Sequence, residues 1–214
     1  MQKLKEVLNT SNSFIDYSTP INNVGVNTVG IGSFPSSASS FGGGVLAPNG
    51  KIYGIPDFAT SVLEIDPVTQ TTTTFGSVGS DLRKWEGGVL APNGKIYGIP
   101  AGARSVLEID PVARTATTFG SLPIGNDKWR GGVLAPNGKI YGIPNSATSV
   151  LEIDPIARTV TTFGSTSGAS TGGVLAPNGK IYGIPNNTLK VLVLSIPSTE
   201  KPAQWMLGAY CNKF

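Results

Sequence analysis

The chain has 214 residues, a formal net charge of +3, one cysteine and no histidine. So small a charge, with no dense basic stripe, speaks against nucleic acid as a partner. The lone Cys211 excludes an intramolecular disulfide and a thiolate metal cluster, and the missing imidazole removes histidine triads, histidine metal sites and the usual general base.

The N-terminal stretch MQKLKEVLNTSNSF lacks the apolar core of a signal peptide. No apolar run reaches the roughly 18 residues that span a bilayer. These features predict a chain made in the cytoplasm without membrane insertion. Residues 1–42 read as an N-terminal extension that contains one strand-like run, Gly25 to Ser33.

From Gly43 the chain repeats. GGVLAPNGKIYGIP begins at Gly43, Gly87, Gly131 and Gly172 without a change, at spacings of 44, 44 and 41 residues. A period of this length made of short β-type runs is that of propeller blades. In the second copy, Gly87 to Ala91 and Lys95 to Pro100 flank Pro92-Asn93-Gly94, an antiparallel hairpin with a glycine in the left-handed region. A polar loop, Ala101 to Arg104, leads to Ser105–Asp110, which Pro111 stops because it has no amide donor for the ladder. The Thr-rich run from Arg114 to Phe119 fits a fourth, outer strand.

The fourth copy keeps its hairpin and a third strand, Lys190 to Leu194, then departs into a tail from about residue 197. It lacks the Thr-rich strand. Gly32-Ser33 falls 44 residues before Gly76-Ser77, so the run at 25–33 is predicted to complete the last blade and close the ring. The expected fold is all-β: four repeats of four antiparallel strands across residues 43–214. Five blades is the alternative, with residues 1–42 and the tail forming a degenerate blade.

The repeat resembles the near-identical-repeat β-propellers of bacteria, phages and algae over residues 43–194. The hairpin LAPNGKIYGI is distantly similar to that of the tachylectin-type propeller lectins of horseshoe crab, which implies a propeller that binds N-acetylated amino sugars. That second likeness covers about a third of each period, and the lectins' sugar-holding loops do not match here. The ending from Trp205 to Phe214 resembles the ends of some phage-associated repeat proteins.

Two positions before each Gly-Gly pair stand Phe41, Trp85, Trp129 and Ser170, with Lys84 and Lys128 preceding the tryptophans. An aromatic at each blade-to-blade loop can stack on a sugar ring, or it can plug the gap between blades. The loop tips after the second strand, with Arg104 and Asn145 among them, vary on a constant frame. Phe41, Lys84, Trp85, Arg104, Lys128, Trp129 and Asn145 are therefore the candidate ligand-binding residues.

Glu64/Asp66, Glu108/Asp110 and Glu152/Asp154 repeat in three blades, each Asp before a Pro, and read as turn chemistry rather than a hydrolytic pair. No phosphate-binding or dinucleotide motif is present, because the glycines precede a hairpin and not a helix. No cofactor, metal or catalytic residue is assigned. The expectation is a non-catalytic recognition module, multivalent toward a glycan or surface receptor, on a phage or extracellular assembly. The alternative is a structural protein decorating a virion or filament and docking to its other proteins through the termini.

Overall fold

The computed structural model describes residues 29–33 and 40–196. The chain forms two compact units, Met1–Gly30 and Ile31–Phe214, and the repeats all lie in the second. Among the described residues every regular element is a strand.

The first blade holds β1 (Phe41–Leu46), β2 (Ile52–Pro56), β3 (Val62–Asp66) and β4 (Thr71–Phe75). The second holds β5 (Trp85–Leu90), β6 (Ile96–Pro100), β7 (Val106–Asp110) and β8 (Thr115–Phe119). The third holds β9 (Trp129–Leu134), β10 (Ile140–Pro144), β11 (Val150–Asp154) and β12 (Thr159–Phe163). The fourth holds β13 (Ala169–Leu175), β14 (Lys180–Asn186) and β15 (Leu192–Ser195). Each sheet is antiparallel in chain order, so the expected propeller blades are observed, the fourth with three strands among the described residues. Residues 29–33 belong to no strand, and the rest of the expected closing strand lies outside the described residues.

Strand alternation gives every blade two unlike apolar faces. The forward face meets the next blade and the backward face meets the one before. Tyr53, Ile55 and Val62 of the first blade pack with Ile96, Leu107 and Ile109 of the second. Tyr97, Ile99 and Val106 of the second pack with Ile140, Leu151 and Ile153 of the third. Tyr141, Ile143 and Val150 of the third pack with Ile181 and Leu194 of the fourth. The core is therefore three separate layers between blades, and a single blade buries none of them alone.

The Gly-Gly pair is what lets the blades approach. The register of β5 on β6 shifts between Trp85 and Gly88, a bulge in which Gly87 has φ of 80°. A Cβ on Gly87 would sit 3.0 Å from the Cα of Gly131 in the next blade. A Cβ on Gly88 would sit 2.6 Å from Ile55 Cδ1 of the previous blade. One glycine serves the left-handed bulge, and its neighbour receives the forward isoleucine. The hairpin glycines Gly50, Gly94, Gly138 and Gly179 all have φ between 76° and 80°, as the Asn-Gly turn requires.

Polar side chains tie the blades from outside the core. Glu108 accepts from Lys95 Nζ at 2.9 Å and from the Tyr97 hydroxyl at 3.3 Å, and Arg158 of the next blade approaches it at 3.5 Å. Glu64 repeats this with Lys51, Tyr53 and Arg114. Asp110 Oδ1 accepts the amides of Val112 and Ala113, as Asp66 does those of Val68 and Thr69. The aspartates are occupied by turns, as the sequence predicted, and the glutamates by ion pairs within and between blades, which it did not.

Candidate functional site

The loops that join one blade to the next carry the predicted Lys-Trp pairs. The backbone of Lys84 is a staple: its amide donates to the Asp57 carbonyl, and its own carbonyl accepts from Ala101 and Ala103. Lys128 repeats this with Ala101, Asn145 and Ala147. Both side chains are then trapped beneath the loops they order. Lys84 Nζ donates to the Asp81 carbonyl at 2.7 Å. Lys128 Nζ donates to the carbonyls of Gly102, Ala103 and Gly125 at 3.2, 3.0 and 3.0 Å. Burial pushes both ammonium groups below the usual lysine value; Asp57 and Asp81 pull Lys84 back, while Arg104 pushes Lys128 further down.

The tryptophans turn inward. Trp85 and Trp129 are each 2% exposed, and their indole N–H groups donate to the carbonyls of Ser105 and Ser149 at 2.8 Å. Both belong to the layers between blades, so their ring faces are not open to a stacked sugar. Of the two roles that the sequence left open for these rings, their burial fits packing between the blades. Each indole N–H is held by the loop of its own blade, and the strand register shifts just after the tryptophan. Phe41 lies against Gly54, and Ser170 holds the equivalent place beside Gly183.

Lys84, Trp85 and Arg104 nevertheless meet in one place. They line a cavity of about 410 Å³ at the junction of the second blade, together with Asp81, Ser105, Ile124 and Asn126. Lys128 and Trp129 line an equivalent cavity of about 290 Å³ one junction on, with Asn126, Ser146 and Thr148. A third, of about 170 Å³, adjoins the fourth blade and is lined by Thr166, Ser167, Ser170 and Lys190. The sequence-derived candidates thus separate by junction, and Asn145 instead donates to the Ser170 carbonyl at 3.1 Å.

Sequence reasoning missed a charged cluster beside the inner strands. Asp57, Phe58, Arg83, Glu86, Asp127 and Arg130 line a cavity of about 280 Å³. Arg83 pairs with Asp127 at 3.0 Å, and Arg130 pairs with Glu86 at 3.2 Å and with Asp127 at 3.3 Å. Burial raises the Asp57 carboxyl above its usual value, with Arg83 and Lys84 opposing. Arg83 and Asp127 hold φ of 51°, a left-handed conformation costly for residues with a Cβ. The available signal was the residue just before each Gly-Gly pair, which runs Gly42, Glu86, Arg130, Thr171 where everything after it is constant.

No protein-family model matches the chain, and no curated protein does. Solved structures do. A catalytically inactive His→Ala variant of virginiamycin B lyase from Staphylococcus aureus, with quinupristin, superposes at a TM-score of 0.61 with 13% identity, over 77% of this chain and 58% of that one. Hydrazine synthase of Kuenenia stuttgartiensis gives 0.55 with 16% identity, over 75% and 48%. An auxiliary nutrient binding protein from Bacteroides ovatus gives 0.54 with 16% identity, over 73% and 39%. At these identities the likeness shows the propeller fold. The chain spans roughly half the length of the first two.

Proposed function

We propose that the protein is a non-catalytic recognition module that binds glycans in the cavities between its blades. The observation that carries this reading is recurrence: a cavity of one design sits at three successive junctions while its polar lining changes. The largest, at about 410 Å³, has the size of a small-ligand site. Exposed Ile124 offers an apolar surface to the face of a sugar ring, and Asp81, Arg104 and Asn126 offer hydroxyl partners of both polarities. Buried Lys84 holds the surrounding loop rigid through its carbonyl partner, which reduces the ordering cost of binding. Several weak sites on one frame raise avidity for a target with matching spacing.

The lyase among the structural neighbours shares the fold, and the histidine lost in its inactive variant has no counterpart here, which favours binding over that chemistry. The repeated Glu and Asp are engaged in turns and ion pairs, which favours binding over hydrolysis. A glycan array followed by calorimetry tests the proposal. Arg104→Ala and Asn126→Ala are expected to weaken binding at least tenfold at the largest cavity with an unchanged melting temperature. A silent array from folded protein overturns it and leaves the structural, decorating role.

A further inference from the structure

Each blade packs through two unlike faces, and among the described residues no blade packs against the backward face of the first or the forward face of the fourth. On the forward face of the fourth blade Val174, Ile184, Val191 and Val193 are between 41% and 54% exposed. The counterparts of Val174, Ile184 and Val191 in the second and third blades, Val89, Ile99, Val106, Val133, Ile143 and Val150, are at most 9% exposed. On the backward face of the first blade Leu46 is 50% exposed, and Ile52 is half-buried where Ile96, Ile140 and Ile181 are enclosed. A Cβ on Gly172 would meet nothing within 4 Å, whereas Gly43, Gly87 and Gly131 each abut the glycine of the next blade.

Two departures from the repeat fall on these faces. Val193 pairs with Tyr182 where Glu64, Glu108 and Glu152 pair with the equivalent Tyr53, Tyr97 and Tyr141. Gln70 stands 44 residues before Arg114, with the same left-handed backbone as Arg114 and Arg158. Those arginines are the ones that reach back to the Glu of the preceding blade. Both halves of that cross-blade pair are therefore missing from the faces that would meet next in the series. A face built for water gains charge; this one exchanges a carboxylate for valine.

We propose that two copies of this chain close one ring, the fourth blade of each seated on the first blade of the other. The contact continues the interface already formed three times within the chain, with Val174 and Ile184 entering the place that Val45 and Ile55 occupy against Gly88. The chain covers 48% and 58% of the length of two solved structures that share its fold, so two copies together match such chains in length. Two identical head-to-tail contacts related by a two-fold axis end the series and leave no free face.

Light scattering on the eluting full chain tests this, with an expected mass twice the 22.1 kDa of one chain. V193E should give single chains, because it buries a carboxylate opposite Gln70; glutamate already occupies that position in three blades, so the fold is retained and its melting curve confirms this. Mixing the V193E protein with a Q70R protein should restore the double mass, because one contact then regains the Glu–Arg pair and the other is wild type. A single-chain mass for the wild type, open-ended growth, a dimeric V193E protein or a mixture that stays single-chain would each overturn the proposal.

Discussion

Trp129 shows how one side chain is decided by its neighbours. Its indole fills the layer between the second and third blades and holds the Ser149 carbonyl, so Trp129→Ala leaves a cavity and an unmet acceptor. The expected loss is about 3–5 kcal/mol, read from urea unfolding. Gly132 makes the converse point. A Cβ there would lie 2.5 Å from Ile99 Cδ1, a wedge in the same layer. Gly132→Ala should cost about 1–3 kcal/mol, and pairing it with Ile99→Val should recover part of that loss by removing the clashing methyl. The need for glycine at the Asn-Gly turns was plain in the sequence, because the turn type demands it. The need at Gly132 was not, because an isoleucine more than thirty residues away imposes it.

At the scale of the strand and its turn, the sequence was nearly sufficient. Alternation placed Tyr97 and Ile99 on one face and Ile96 on the other, and Pro111 ended β7 where it should. The carboxylates of these turns carry a pH dependence. Amide donors, first those of Thr69 and Ala113, hold Asp66 and Asp110 below their usual 3.8. Burial raises Glu64, but Lys51, Arg114 and the Tyr53 hydroxyl outweigh it and hold the group below 4.5. A carboxyl depressed in the folded state favours folding above its ordinary value and loses that contribution as protons bind. The urea midpoint should therefore be steady near neutrality and fall as the pH drops through about 4.5 to 3. A midpoint that rises on acidification would contradict these assignments.

Across the molecule, stability should be graded, since each blade contacts only its neighbours. Among the described residues the middle blades are covered on both faces, and the first and fourth on one. Amide exchange should be slowest in Ile96–Pro100 and Ile140–Pro144 and faster in β1 and β15, and in a closed pair of chains β1 and β15 should gain protection with rising concentration. Local sequence determined the blades themselves: hairpin glycines, strand alternation, Asp-Pro stops and the four-fold repeat all act within one period. Only the tertiary structure decided that the tryptophans are core, that Lys84 and Lys128 are enclosed, and that Arg83, Asp127 and Arg130 form one charged cluster. These outcomes arise between blades, where residues about 44 positions apart meet, and a single period says nothing about which of its faces will find a partner.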